Sequence, residues 1–181
     1  MQNAHFAKVK EEAKKLAQEY GFSPLRFHSS NSASLFREEG CSEDMARVGI
    51  GAYGCLELAE NKYVKKLKPI LALYGEKLSS RLLQEGECVG YNATFQTEGQ
   101  CIVSNYDIGY GDGFLRSCSN HYITPQNIKI AGRISMDNSS FLTDKEILLL
   151  FDDARVAAKQ ASTISYEMLT SLKEYIQRRV V

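Results

Sequence analysis

A chain of 181 residues can hold one ordinary domain, or one small domain and part of another, and can bury a real core. Hydrophobic residues make up 44% and charged residues 24%, with only three prolines, which excludes a disordered or low-complexity chain. Lys+Arg and Asp+Glu both number 22, so no charge excess points to nucleic acid or to an anionic membrane.

The first helix is predicted over residues 4–20. Phe6, Val9, Ala13, Leu16 and Ala17 recur with a helical period, and Gly21 supplies a stop. The pattern reads as a surface helix with one buried stripe, its lysines on the polar side. The same Lys/Glu-rich start lacks the apolar core of a signal peptide, and no run reaches membrane-spanning length, so a cytoplasmic protein is expected.

Next, Pro24-Leu25-Arg26-Phe27-His28 is a strand candidate that runs into HSSNSASLF (residues 28–36), and a helix is predicted over 33–39, ending near Gly40. An apolar run over 45–50 then breaks into Gly51-Ala52-Tyr53-Gly54. These first 60 residues amount to about two α/β units, too few to close a parallel sheet buried on both faces. The remaining strands are expected upstream or on another chain.

From Lys68 the character changes to β. Residues 70–77, 87–95, 101–108, 121–135 and 146–151 alternate between Gly-rich turns. Two short helical stretches, 154–160 and 166–170, interrupt the pattern before a closing strand over 174–181. The division is therefore 1–65, an α/β piece, and 66–181, a mainly β domain. The five cysteines (Cys41, Cys55, Cys88, Cys101, Cys118) form an odd set without paired short spacings and read as reduced thiols. Cys118-x-x-His121 has metal-like spacing but no second pair, so no metal is expected.

Two stretches could carry chemistry. Gly49-Ile50-Gly51-Ala52-Tyr53-Gly54 is a literal G-x-G-x-x-G, but the dinucleotide fingerprint also wants an acidic residue about 20 positions on, and residues 68–74 hold none. A dinucleotide site and a glycine-rich strand end whose N–H groups suit a phosphate both stay open. The serines and asparagine of HSSNSAS read equally as helix N-caps or as phosphate ligands. A serine-rich and a glycine-rich strand end side by side resemble the phosphate cup that barrel enzymes place after their last two strands.

Six motifs in order carry a family resemblance: HSSNSAS with Arg47-Val48-Gly49-Ile50-Gly51-Ala52-Tyr53-Gly54, then Val89-Gly90-Tyr91-Asn92-Ala93-Thr94-Phe95, Ile108-Gly109-Tyr110-Gly111-Asp112-Gly113-Phe114, Gly132-Arg133-Ile134-Ser135-Met136-Asp137 and Thr163-Ile164-Ser165-Tyr166-Glu167. Together they resemble alanine racemase, a pyridoxal-phosphate enzyme. The resemblance implies an α/β remnant, the last strands of a (β/α)8 barrel, followed by a mainly β C-terminal domain. It implies that Ser32, the backbone of Gly49 and Ile50, and Tyr166 hold the cofactor phosphate. Arg47 would face the pyridine nitrogen, supported by His28 and Asn31.

By the same resemblance Tyr91 would be one of two acid/base groups. Tyr110 would narrow the entrance, and the Met136 N–H, with Asp137 beside it, would meet the substrate carboxylate. The Schiff-base lysine and a substrate-binding arginine would lie in a barrel portion outside this sequence, and Lys8, Lys10, Lys14 and Lys15 do not replace that lysine. Expected consequences are interconversion of L- and D-alanine for peptidoglycan, a homodimer sharing its active sites, possible complementation by a separate barrel chain, and little activity of this chain alone. The stretch 141–162 looks shorter than the family's usual passage. Other readings remain: a non-catalytic β-domain binding or dimerisation module, one half of a split racemase, a dinucleotide-binding protein, or a racemase for serine or another small amino acid.

Overall fold

A computed structural model describes residues 2–22, 24–37, 43–59 and 61–180. The chain divides into two compact units, Met1–Lys68 and Pro69–Val181, each built around its own contacts.

In the first unit, helix α1 (Gln2–Glu19) follows the predicted period. It ends in a left-handed Gly21 (φ +74°), with the Phe22 N–H on the Ala17 carbonyl at 2.7 Å and the Gly21 N–H on the Gln18 carbonyl at 3.4 Å. That pair of bonds satisfies last-turn carbonyls in the Schellman manner. The stripe is less covered than expected: Ala17 is buried, Phe6 and Ala13 are half-buried, and Val9 and Leu16 are exposed. Helix α2 (Ser32–Arg37) starts one residue before the predicted position because Asn31 caps it, its Oδ1 accepting the Ser34 N–H at 2.9 Å. The expected end near Gly40 lies outside the described residues.

The predicted strands over 24–28 and 45–50 do not form as strands; a single parallel bridge joins Asn31 to Arg47. Three hydrogen bonds nevertheless keep one parallel register, each spanning 17 positions. The Phe27 N–H reaches Asp44 Oδ2 at 2.8 Å, the Arg47 N–H reaches the Ser30 carbonyl at 2.8 Å, and the Gly49 N–H reaches Ser32 Oγ at 2.9 Å. Side-chain oxygens stand in for backbone acceptors at both ends, so the ladder is too short to count as a strand pair. Residues 49–54 then turn repeatedly, with the N–H groups of Ala52, Tyr53 and Gly54 bonded three residues back. Among the described residues no α-helix starts from this turn, so the Gly-rich run lacks the helix a dinucleotide fingerprint requires.

The second unit holds an antiparallel four-stranded sheet in the order β5-β4-β1-β6, made of β1 (Leu73–Leu83), β4 (Cys101–Tyr106), β5 (Ser139–Phe141) and β6 (Ile147–Phe151). Strands β2 (Cys88–Val89) and β3 (Phe95–Gln96) pair separately. Helices α3 (Ala154–Gln160) and α4 (Ser165–Ser171) match the two short predicted helices. Three differences from the sequence reading are local. The long strand is displaced to 73–83, the 87–95 run is split by a tight turn at Tyr91–Ala93, and 121–135 makes only isolated bridges, Ile123 to Lys129 and Ile130 to Phe141. Residues 174–180 form no strand.

The core of this unit is aromatic. Tyr106 meets Phe141 edge-on at 5.8 Å between ring centroids, and Phe114 meets Tyr122 at 5.2 Å. Both buried tyrosines keep their hydroxyls satisfied: Tyr106 donates to the Lys145 carbonyl at 2.7 Å and Tyr122 to the Leu150 carbonyl at 2.8 Å. Burial raises both phenols above the ordinary tyrosine range. Among the described residues no helix is long and apolar enough to cross a membrane.

Candidate active site

The first group of expected site residues lies in unit one. Ser32 is buried, and its Oγ accepts the N–H of Gly49 at 2.9 Å and of Gly51 at 3.3 Å. Two backbone donors therefore converge on one hydroxyl next to the Asn31–Arg47 bridge. A Cβ at Gly51 would come within 3.2–3.4 Å of Phe36 and Ser32, whereas one at Gly49 would meet nothing within 4 Å. The cup is closed on the Gly51 side and open on the Gly49 side. The buried Ile50 donates its N–H to no group among the described residues. Together with the Ser32 O–H, it gives an anion two donors, a set that fits a phosphate.

Asn31 and Arg47 are bridged through their backbones, and the exposed Arg47 guanidinium pairs with no group among the described residues. His28 is exposed and makes no hydrogen bond to Arg47. Asn31 spends its side chain on capping α2, which leaves Ser32 free of that task.

The second group lies in unit two. Tyr91 is 67% exposed on the tight turn after β2. Its conformation is set by neighbours: Gly90 has φ +76°, Asn92 φ +62° and Ala93 φ +47°, and a Cβ on Gly132 would stand 2.7 Å from the Val89 carbonyl oxygen. Only glycine permits these two segments to lie against each other. Tyr91 borders an open groove of about 470 Å³ on the sheet face, where Arg81, Arg133, Ser135 and Asn138 also contribute. A cross-strand polar row floors it, with the Ser140 hydroxyl donating to Asn105 Oδ1 at 2.5 Å.

Tyr110 and Met136 are brought together by backbone. The Tyr110 N–H bonds the Ser135 carbonyl at 3.0 Å and the Gly111 N–H bonds the Met136 carbonyl at 2.8 Å. The approach is so close that a Cβ on Gly109 would sit 2.2 Å from the Met136 oxygen. Tyr110, Met136 and Asp137 are exposed at this edge. Tyr166 lies in the first turn of α4, about half exposed. The motif reading gave Asp112 no role, yet it braces this edge by accepting the Gly109 N–H at 2.7 Å; an Asp between glycines is a turn signal that could have flagged it.

The cysteine and histidine with metal-like spacing are otherwise engaged. Cys118 is buried, its thiol pushed up to about 12 by burial, which opposes the thiolate a metal needs. The His121 ring nitrogens contact the carbonyls of Ser119 and Gln160 at 2.9 and 2.8 Å. Among the described residues no three metal-binding side chains gather, and Cys55, Cys88, Cys101 and Cys118 are unbridged. Cys41 lies outside them.

Residues 70–180 match the family profile "Alanine racemase, C-terminal domain" and residues 1–57 the profile "Alanine racemase, N-terminal domain". The chain belongs to the alanine racemase family. It is 37% identical to an alanine racemase of a Nitratiruptor species over 98% of this chain and 52% of that protein. It is equally similar to one of Campylobacter curvus, over 100% of this chain and 53% of that protein. The chain thus spans about half the length of the curated relatives it matches. Among solved structures it superposes on an alanine racemase of Clostridium difficile 630 with TM-score 0.77 at 25% identity, covering 93% of this chain and 47% of that one. It superposes on that of Bacillus anthracis with bound L-Ala-P at TM-score 0.70 and 25% identity, covering 92% and 47%. The fold is a C-terminal β domain of this family preceded by a partial barrel remnant.

Proposed function

We propose that this chain supplies the cofactor-phosphate cup and the second acid/base group of a pyridoxal-phosphate racemase interconverting L- and D-alanine, with residues 1–65 as the end of the barrel and 66–181 as the β domain. The observation that carries the reading is the convergence of the Gly49 and Gly51 N–H groups on the buried Ser32 hydroxyl, beside the parallel bridge of Asn31 to Arg47.

When bound, pyridoxal phosphate draws electrons from the α-carbon of an amino acid and makes its proton acidic. The Ser32 hydroxyl and the Ile50 N–H would hold the phosphate, whereas the Gly49 N–H, expected beside them, is spent on Ser32 Oγ. The Arg47 guanidinium would donate to the pyridine nitrogen, which would moderate that electron demand. Asn31 steadies the cup by capping α2, and the support of Arg47 expected from His28 is not assigned, since the two make no hydrogen bond.

Racemisation removes a proton from one face of the α-carbon and returns one to the other, so two groups on opposite sides are needed. Tyr91 is one of them, held on a turn that leaves its hydroxyl in the open. The Met136 N–H and Asp137 meet the substrate carboxylate, and Tyr110 narrows the approach. These side chains act in a homodimer with shared sites, in the cytoplasm, supplying D-alanine to peptidoglycan.

Alone, the 181-residue chain shows little turnover. Lys8, Lys14 and Lys15 of α1 are exposed, Lys14 pairs with Glu11 at 2.9 Å and Lys10 stacks over Phe27, so none fits the cofactor-bearing lysine. Incubation with pyridoxal phosphate, borohydride reduction, intact mass and chiral analysis of alanine test this. Reversible binding weakened about tenfold by Ser32→Ala, without turnover, is the expected result. Robust turnover by the chain alone refutes its inactivity, and binding indifferent to Ser32→Ala refutes the cup. The self-contained aromatic core of unit two favours one second reading, a non-catalytic module, in which residues 69–180 alone would dimerise without cofactor.

A further inference from the structure

Three contacts of the second unit converge on Asp112. Its Oδ2 accepts the Gly109 N–H at 2.7 Å, its Oδ1 accepts the Tyr175 hydroxyl at 3.1 Å, and its carbonyl accepts the Lys173 N–H at 3.0 Å. The Tyr175 hydroxyl lies equally 3.1 Å from the Gly111 carbonyl, so its single proton is shared between the two acceptors. Next to them Gly113 (φ +103°) passes so close to the segment after α4 that a Cβ would stand 2.1 Å from the Ser171 carbonyl oxygen. The 109–113 turn is therefore gripped on one side by residues 171–175. On its other side the same turn holds Ser135 and Met136 through the Tyr110 and Gly111 N–H groups.

We propose that Asp112 and Tyr175 form a clasp through which the segment after α4 fixes Tyr110 and Met136, making both of them positioning residues for the substrate-binding edge. The proposal rests on the reading of Tyr110 and Met136 as substrate-facing groups. Tyr175 is 70% exposed, so its contribution comes from the hydroxyl and not from packing. Desolvation, together with the neighbouring carboxylates of Asp112 and Asp137, raises its phenol above the ordinary range, so the hydroxyl stays a donor at neutral pH. Asp112 presents two oxygens to two donors, the arrangement a carboxylate satisfies best.

Amide hydrogen exchange on the full 15N-labelled chain tests the clasp. Tyr175→Phe removes one hydroxyl, and the Gly109 and Gly111 amides should then exchange about fivefold faster, while the β4 amides of Val103 and Ser104 hold their wild-type rates. Asp112→Ala should match or exceed that change. Asp112→Asn should restore near-native exchange. Its amide oxygen can take the Gly109 N–H and its NH2 can donate to the Tyr175 oxygen, leaving the hydroxyl proton on the Gly111 carbonyl. In ultraviolet titration, the tyrosine lost in Tyr175→Phe should ionise at lower pH in Asp112→Asn, because the repelling carboxylate is gone. Unchanged exchange at Gly109 and Gly111 in Tyr175→Phe, acceleration spread equally through β1 and β4, or a Tyr175 titration indifferent to Asp112→Asn would each overturn the clasp. None of these readouts needs cofactor or turnover, so failure of the racemase reading leaves them intact, and failure of the clasp leaves the cofactor-binding test unchanged.

Discussion

The two units of this chain bury their apolar residues to different degrees. In unit two, Tyr106, Phe114, Tyr122, Phe141, Leu148, Leu150 and Met168 are fully enclosed around a hydrogen-bonded sheet. Unit one buries little beyond Ala17, Ile50, Cys55, Leu56 and Val64, and Val9 and Leu16 on its longest helix face solvent. An antiparallel sheet whose four strands all come from unit two closes its own core, whereas a parallel barrel segment needs neighbours on both sides before its apolar faces are covered. The difference separates a body that sets its own geometry from one whose cup is shaped by three bonds, each spanning 17 positions.

The largest test of that contrast is to divide the chain. Residues 69–180 alone should melt cooperatively by circular dichroism, and residues 1–68 alone should show no cooperative transition. A cooperative melt of the short piece would remove the contrast. Within unit two, Phe141→Ala should cost about 3–5 kcal/mol in denaturant unfolding, because the ring lies between Tyr106 and Phe114. Val9→Ala in unit one should cost less than about 0.5 kcal/mol in the same assay, its side chain being exposed already.

Gly109→Ala sharpens the comparison at the site itself. Its Cβ must displace the Met136 carbonyl, and we expect a loss of about 1–3 kcal/mol with altered chemical shifts at Tyr110 and Met136. A smaller effect belongs to Asp153, which caps α3 through the Arg155 N–H at 2.9 Å and pairs with the Arg155 guanidinium. The Arg155 side chain holds this carboxyl below its ordinary range. A depressed folded-state value means that the stabilisation is present above the unfolded value, near 4, and fades as pH falls through the folded value. Asp153→Ala should cost about 1 kcal/mol at pH 7 and converge with the parent in acid, as read by urea unfolding at several pH values.

Much of the organisation was legible in the sequence. The period of Phe6, Val9, Ala13 and Ala17 located α1, and Gly21 its end, because a helix stop is a local property of backbone conformation. Both short helices were found where their periodicity placed them. Reading failed where pairing partners decide. Alternation over 121–135 suggested a strand, but the segment runs between bridges to 129 and 141 without a continuous neighbour. The runs over 24–28 and 45–50 looked like strands, yet Asp44 and Ser32 side chains replace the backbone acceptors that would have extended the ladder.

For the candidate site the sequence by itself determined which chemical groups are available: the Ser32 hydroxyl, the Arg47 guanidinium, the phenols of Tyr91, Tyr110 and Tyr166, and the glycines that let backbones approach. These follow from residue type and order alone. Only the tertiary structure decided how they are used. Asn31 takes the capping duty and releases Ser32, Gly132 lets Val89 pass and so aims the Tyr91 turn, and Asp112 with Tyr175 joins segments more than sixty residues apart. Such contacts depend on distances between remote parts of the chain, which no local pattern of side chains encodes.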